Sequence, residues 1–194
     1  MRAKRGRLIA VDGSTAQVIP AAKDVVRALA AAKIPRGVST WDASGIFTDL
    51  FAANGVMRDP SARTLTLLYA ADLAFRLRWQ IRPALEEQRF VIAAPYVETA
   101  KALGMAAGLP RKWLDELFRF APRADDSYLV TESATHAPAR ARTYLDCFSA
   151  TLQGGSGVIP PGDMRARSLA YLASLEKRRR IVRLQSAADV VLGP

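Results

Sequence analysis

The segment that decides the fold is residues 67–92, which read LLYAADLAFRLRWQIRPALEEQRFVI. Apolar side chains recur along its first part at helical spacing, with Leu68, Phe75 and Trp79 on or near one face. A helix start signal, Asp-Pro-Ser, precedes it at residues 59–61, so we predict one long helix over residues 62–85. The run FVIA at residues 90–93 is short and apolar, which is typical of a buried strand.

Similar signals recur on both sides of this segment. Further strands are predicted at residues 7–11, 38–41, 128–131 and 181–184, and further helices at residues 20–33, 45–53, 111–120, 139–152 and from residues 160–163 onward. Short apolar strands that alternate with helices indicate a parallel sheet covered on both faces. We therefore predict a three-layer α/β/α fold with a mostly parallel central sheet of about five strands. It forms a single domain over residues 1–194, with a basic leader at 1–6 and an internal loop at 153–163.

The composition narrows the class of protein. Half of the 194 residues are hydrophobic, which suffices for a sizeable core. No apolar run reaches the roughly 18 residues of a membrane span, and Asp12 interrupts the apolar stretch that follows the basic N-terminus. We expect a cytoplasmic protein with no membrane contact. Cys147 and His136 are single residues of their types, so the sequence predicts neither an internal disulfide nor a metal site, and His136 is expected in a loop.

The charge leaves a role in polyanion binding open. The net charge is +10, and basic residues cluster at positions 2–7 and 177–180. Such a balance permits binding to nucleic acid. No RNP, zinc-finger or helix-turn-helix signature accompanies the clusters, and basic residues at the end of a helix also complement its dipole. Nucleic acid is therefore an alternative partner that the sequence does not favour.

Four segments in order resemble the thymidylate kinases. The turn Asp12-Gly13 after the first strand matches part of that family's motif G-x-D-G-x-G-K-[ST]-T. Residues 67–92 are similar to the family's stretch LLFAADRxxH…I.PAL..G..VI. Residues 40–45 (TWDASG) stand where the family has Thr-Arg-Glu-Pro-Gly-Gly, and residues 94–96 (APY) where it has Asp-Arg-Tyr or Asp-Arg-Phe. The resemblance covers about residues 7–130 and implies a fold of the P-loop kinase type.

The resemblance also shows where the phosphate-binding loop has changed. A working loop wraps phosphates in backbone N–H groups, and its lysine and hydroxyl residue meet the terminal phosphates and the metal. Here Thr15 stands at the second glycine, Ala16 at the lysine and Gln17 at the first hydroxyl position. Asp12, Gly13, Ser14, Thr15, Ala16 and Gln17 thus form a vestigial P-loop. Asp12 suits either a remaining carboxylate of that loop or a turn and capping role.

The side that receives the phosphate has lost its arginines as well. By resemblance, Trp41 replaces the arginine of Thr-Arg-Glu-Pro, Leu73 the arginine after Ala-Ala-Asp, and Ala94-Pro95 the Asp-Arg pair. Arginine supplies bidentate, permanently charged contacts that these residues cannot reproduce. Loss of one contact to the transition state costs about 3–4 kcal/mol, so several losses predict little remaining phosphotransfer.

Some residues that could bind a nucleotide are still present. Tyr69 matches the family's phenylalanine that stacks on thymine, Tyr96 matches the aromatic residue of Asp-Arg-Tyr, and Asp72 and Arg76 lie on the same helix as Tyr69. The other interpretation of the two tyrosines is that they are ordinary core aromatics. No catalytic residue is assigned, and ATP and magnesium are expected as cofactors only where nucleotide binding is retained.

Three functions follow from this pattern. The first is a pseudokinase that acts by binding or assembly, with a protein partner or as a homodimer through the helix at 62–85, whose Phe75 and Trp79 lie either in that interface or in the protomer core. The second is an active nucleotide kinase with a rebuilt phosphate site, with new cations drawn from Arg76, Arg78 and Arg82, which we expect to face solvent or a partner, and from Arg140 and Arg142. The third is a module that binds nucleic acid or another polyanion.

Overall fold

The computed structural model describes residues 6–15, 17–52, 60–131, 161–178 and 180–192. The strands in these ranges are β1 (Arg7–Asp12), β2 (Arg36–Thr40), β3 (Phe90–Ala94), β4 (Asp126–Leu129) and β5 (Val182–Arg183). The helices are α1 (Val18–Ala31), α2 (Ile46–Ala52), α3 (Ala62–Arg76), α4 (Arg82–Glu86), α5 (Val97–Ala106), α6 (Arg111–Leu117), α7 (Pro161–Lys177) and α8 (Ala188–Leu192). A π-helical turn, Leu77–Ile81, joins α3 to α4.

The strands form one parallel sheet in the order β2-β3-β1-β4-β5. In its register Ile9 lies beside Ile92 of β3 and Asp126 of β4. Parallel neighbours require crossover connections, and helices provide them here. The predicted three-layer α/β/α architecture of the P-loop kinase type is confirmed, and the carboxyl ends of the strands meet at one edge.

The two faces of the sheet have separate cores. Because successive side chains of a strand point to opposite faces, Leu8 and Ala10 of β1 join the core under α2, α3, α5 and α6. Ile9 and Val11 join the core under α1 and α8. Helix α7 packs beside α5, where its Leu172 is buried. None of the helices in the described ranges combines the length and hydropathy that crossing a membrane requires.

The long helix predicted at residues 62–85 exists but is not uniform. Ser61 caps its start, with its hydroxyl oxygen accepting the Thr64 N–H at 3.1 Å. The α-helical ladder gives way to the π-helical turn, after which the N–H of Arg82 bonds to the carbonyl of Leu77. Pro83 stands in the first turn of α4, directly after the π-helical turn, and it has no amide N–H to donate into the helix.

Two expectations about this helix are wrong. Arg76 was expected to face solvent or a partner, yet its side chain is fully buried, because carbonyl and hydroxyl groups of β2 and of residue 95 surround it. The interpretation that Phe75 and Trp79 fill the protomer core is also wrong, since these side chains are 39% and 61% exposed.

The remaining differences concern boundaries and two missed helices. Helices α5 and α8 were not predicted, and β4 begins two residues earlier than the predicted 128–131. Gly104 is one reason why α5 was not predicted, because glycine weakens the helical pattern of the sequence. The close packing of α5 on α6 requires this glycine, since a Cβ there would come within 2.8 Å of Leu114 Cδ2. Residues 161–163 belong to α7 and not to the predicted loop 153–163. The predictions for residues 1–5, Ala16, 139–152, 153–160, His136, Arg140, Arg142 and Cys147 lie outside the described residues.

Candidate functional site

The loop after β1, which the sequence predicts to be a vestigial P-loop, lies closely packed inside the protein. A Cβ on Gly13 would come within 2.5 Å of the Val130 carbonyl oxygen and 2.9 Å of Val18 Cγ2. Ser14 and Thr15 are buried as well. The backbone of this loop therefore packs against the end of β4, at the edge where the resemblance implies phosphate binding.

The amino-terminal end of α1 follows this loop without a capping side chain. Gln17 occupies the N-cap position but makes no side-chain cap hydrogen bond, and the first turn of α1 has no acidic residue. The Gln17 N–H donates to Thr15 Oγ1 at 3.2 Å. Within the described ranges, Ser14 Oγ and Gln17 Oε1 are buried without a hydrogen-bond partner. The end of the helix therefore keeps polar groups and a partial positive charge suited to a weak anion contact.

Asp12 holds β1 to the start of α5. Its Oδ1 accepts the N–H groups of Tyr96 and Thr99 at 2.8 and 3.0 Å, and the Thr99 hydroxyl at 2.8 Å. Its Oδ2 is buried with no partner in the described part of the chain. Burial raises the pKa of Asp12 from 3.8 to about 6, against the opposing effect of the Thr99 hydrogen bonds and with a smaller contribution from the charge of Glu98. The carboxyl group therefore titrates near neutral pH.

Asp72 orders the turn that corresponds to the family's Thr-Arg-Glu-Pro-Gly-Gly segment. Its Oδ1 accepts the N–H and hydroxyl of Ser44 at 2.9 and 2.8 Å, and its Oδ2 accepts the N–H of Asp42 at 3.0 Å. Asp42 in turn accepts the N–H groups of Phe47 and Thr48 and so caps α2. These contacts occupy both oxygens of Asp72 with backbone and hydroxyl donors of the protein itself.

Arg76 joins β2 to the segment after β3. Its Nε donates to Ser39 Oγ at 2.9 Å, its Nη2 to the Ser39 carbonyl at 2.8 Å, and its Nη1 to the Pro95 carbonyl at 2.9 Å. All three nitrogens of this buried guanidinium thus donate to neutral groups of the protein. Arg76 stabilises the edge of the sheet and does not extend into open space.

The two candidate aromatic residues differ in their surroundings. Tyr69 is fully buried; its hydroxyl donates to the carbonyls of Pro95 and Tyr96, and its ring meets Phe118 edge to face at 6.2 Å. Burial raises its pKa far above the usual range. Tyr96 is 4% exposed, and its hydroxyl donates to the Pro122 carbonyl at 2.7 Å. A base could stack on Tyr69 only after the surrounding core had opened.

The structure groups the candidate residues in two clusters. Asp12 and Tyr96 meet around Thr99, a residue that no sequence motif indicated because it begins the unpredicted helix α5. Tyr69 and Arg76 meet at the Pro95 carbonyl. Asp72 lies with the 42–44 turn and contacts neither cluster through the hydrogen bonds of its carboxylate.

Most described residues of the basic clusters lie away from these groups, but Arg180 lines a cavity together with Asp12 and Tyr96. Arg7 donates to Asp126 at 2.6 Å and lies over the ring of Phe90. Lys177 and Arg178 are exposed at the carboxyl end of α7, where positive charge complements the helix dipole. Neither placement adds a cation to the loop after β1.

Comparison with known proteins agrees with this architecture. No family model matches the chain. A probable thymidylate kinase of Pyrobaculum aerophilum is 27% identical over 171 residues, which cover 86% of this chain and 78% of the relative. The chain is thymidylate kinase-like.

Shorter matches are closer in sequence. This thymidylate kinase-like chain is 40% identical over 78 residues to a probable thymidylate kinase of Pyrococcus abyssi, and the match covers 38% of each protein. It is 44% identical over 59 residues to a probable thymidylate kinase of Thermococcus gammatolerans, covering 30% of this chain and 28% of the relative. These matches therefore span well under half the length of the relatives concerned.

Proposed function

We propose that this thymidylate kinase-like protein is a pseudokinase, with phosphotransfer lost or greatly reduced, that acts by binding or assembly. The observation that carries the proposal is that the groups at the phosphate edge are bonded to the protein itself. Gly13 packs on the Val130 carbonyl, and the guanidinium of Arg76 is held by Ser39 and Pro95.

The loop after β1 lacks the positive charges that phosphoryl transfer requires. Phosphoryl transfer relies on positioned cations and backbone N–H groups that neutralise the charge on several phosphates. Between Asp12 and Val18 the chain contains no lysine or arginine. Removal of one such contact costs about 3–4 kcal/mol, and several are missing together, although their effects are not additive. The expected rate lies orders of magnitude below that of an intact site.

The alternative, an active kinase with a rebuilt site, has less support than the sequence alone offered. Arg76, one of the arginines that a rebuilt site would use, is buried and bonded to Ser39 and Pro95. Arg78 is exposed and lies over the ring of Trp79 at 5.1 Å. Arg82 is exposed on the same helix. Both exposed residues could contribute to phosphate binding only if a ligand approached this side of α3 and α4.

The test combines binding and turnover. We expect calorimetric titration with ATP–magnesium and with thymidine monophosphate to show at most weak binding, and a coupled phosphotransfer assay to show no turnover above background. The double variant Arg78→Gln/Arg82→Gln, which removes the two exposed arginines of the rebuilt site, is assayed in parallel. Turnover by the natural protein that this variant abolishes would refute the pseudokinase proposal and establish the rebuilt site.

We also propose a homodimer that forms through α3 and the π-helical turn. Leu67, Phe75 and Trp79 are 46%, 39% and 61% exposed, and spacings of eight and four residues place them along one side of the helix. A second copy of this chain is the partner that suits these side chains, because a two-fold axis places the apolar stripe of one protomer against the same stripe of the other. Scattered apolar residues need no partner, whereas a stripe of this kind indicates an interface.

The oligomeric state tests this assembly. Light scattering after size-exclusion chromatography should give a dimer mass for the natural protein and a monomer mass for Phe75→Ala/Trp79→Ala. Phe120→Ala, which removes another exposed aromatic ring, should leave the dimer intact. A monomer mass for the natural protein, or a dimer unaffected by the double variant, would rule out this interface.

A further inference from the structure

A cavity lies between α5 and α7, on the face of the sheet that bears α3, α5 and α6. Its volume is about 410 Å³, within the roughly 300–1,000 Å³ of ligand pockets and near their lower end. The residues that line it come from β1, β4, α5, the segment between α6 and β4, and the end of α7 with the turn after it. They include Asp12, Glu98, Lys101, Phe118, Arg123, Leu175 and Arg180. We call it the α5–α7 cavity.

Part of the charge in the cavity is already balanced. Lys101 pairs with Asp115 at 2.8 Å. Glu98 accepts the hydroxyl of Tyr171 at 2.7 Å, which links α5 to α7. The ion pair balances the charge of Lys101, whereas the neutral Tyr171 hydroxyl satisfies a hydrogen bond of Glu98 and leaves its charge in place.

Three polar groups of the cavity are not balanced. Arg123 and Arg180 are exposed and form no ion pair within the described ranges. At the inner wall, Asp12 is fully buried and its Oδ2 has no hydrogen-bond partner there. A buried polar atom left without a partner costs roughly 1–3 kcal/mol, so a donor at this end of the cavity would be favourable.

We propose that the α5–α7 cavity binds a compact organic anion, whose charged group is held by Arg123 and Arg180 and whose hydroxyl groups donate toward Asp12. Two arginines match the oxygens of a phosphate or carboxylate group. The apolar side chains of Phe118 and Leu175 also line the cavity and suit a short carbon chain. This site adjoins the vestigial P-loop through Asp12, while its other residues lie outside that loop. Its occupancy does not depend on whether the protein transfers phosphate.

The chemistry of the ligand can be tested with three probes on the full chain. Glycerol 3-phosphate carries both the anion and the hydroxyls, inorganic phosphate carries the anion without the carbon chain, and glycerol carries the hydroxyls alone. In two-dimensional amide NMR, glycerol 3-phosphate should cause saturable shifts at residues 96–101 and 123–127. Inorganic phosphate should bind at least about tenfold more weakly, and glycerol should not saturate up to about 10 mM.

A charge-matched pair of variants tests the arginines. Arg123→Gln/Arg180→Gln should weaken glycerol 3-phosphate binding by at least about tenfold, because two charge-assisted contacts are removed. Arg119→Gln/Arg183→Gln removes the same total charge from arginines that pair with Glu116 and Glu176, and it should leave the affinity unchanged.

Several results would overturn the proposal. These are absence of saturable shifts with glycerol 3-phosphate up to about 10 mM, equal affinity for inorganic phosphate, or equal weakening by both variant pairs. Shifts confined to residues 13–19 would place the anion at the loop after β1 instead of in the α5–α7 cavity.

Discussion

Replacement of Asp12 by asparagine should change how the stability of this protein depends on pH. Asp12 is buried, and its Oδ1 accepts three hydrogen bonds from Tyr96 and Thr99. Asparagine keeps an acceptor oxygen of the same shape but carries no charge at any pH. The substitution therefore removes the titration and preserves most of the geometry.

The magnitude follows from the pKa of Asp12, which burial raises from 3.8 to about 6. Between these two values the folded protein binds the proton more tightly than the unfolded chain does. The free energy of unfolding therefore falls as the pH rises through this window and levels off above it. At about 1.4 kcal/mol for each factor of ten in proton affinity, the group should lower stability by about 2.5 kcal/mol between pH 3.8 and pH 7.

Urea unfolding of the natural protein and of Asp12→Asn, measured from pH 4 to pH 7.5, provides the assay. The difference between their free energies of unfolding should shift by about 2.5 kcal/mol in favour of the variant as the pH rises over this range. Asp49→Asn, which removes an exposed carboxylate from α2, controls for net charge. Parallel curves for the natural protein and Asp12→Asn, or a shift of opposite sign, would refute the reasoning.

Two further substitutions test the packing at the same edge of the sheet. Arg76→Met should lower the free energy of unfolding by about 3 kcal/mol, because buried carbonyls lose charge-assisted donors, whereas the exposed Arg78→Met should change it by less than about 0.5 kcal/mol; equal effects in urea unfolding would contradict the buried network. Gly13→Ala should cost about 1–3 kcal/mol because its Cβ would meet a backbone oxygen at 2.5 Å. Gly37→Ala is the control, because a Cβ on Gly37 would lie 3.6 Å from its nearest atom, and it should leave the melting temperature almost unchanged. An equal loss of stability from both substitutions would show that contact of Gly13 with the end of β4 is not the cause.

Much of the fold was predictable because it depends on local patterns. The short apolar runs near residues 7–11 and 90–93 became β1 and β3, and the alternation of strands with helices correctly predicted a parallel sheet. Helix α5 was missed because its sequence, VETAKALGMA, contains a threonine and a glycine whose suitability depends on neighbours in space. Gly104 is needed only because α6 packs against it.

The site was predictable in position but not in bonding. The resemblance located Asp12, Tyr69 and Tyr96 near one edge of the sheet, and the structure joins the three through hydrogen bonds. Hydrogen-bond partners at the site lie far away in sequence: Thr99 is 87 residues from Asp12, and Ser39 is 37 residues from Arg76. Arginine is rarely buried, so a solvent-facing position was the natural expectation for Arg76. Only the tertiary arrangement of carbonyl groups around it reveals the opposite.

The π-helical turn Leu77–Ile81 has a consequence for comparing this helix with others. One extra residue in a turn rotates everything that follows by about 100° relative to a regular α-helix. Two sequences can then align without a gap while the side chains beyond the turn point in different directions. If contacts of Arg82–Glu86 were inferred by alignment with an uninterrupted helix, they would therefore be placed on the wrong side of the helix, more than a quarter of a turn away.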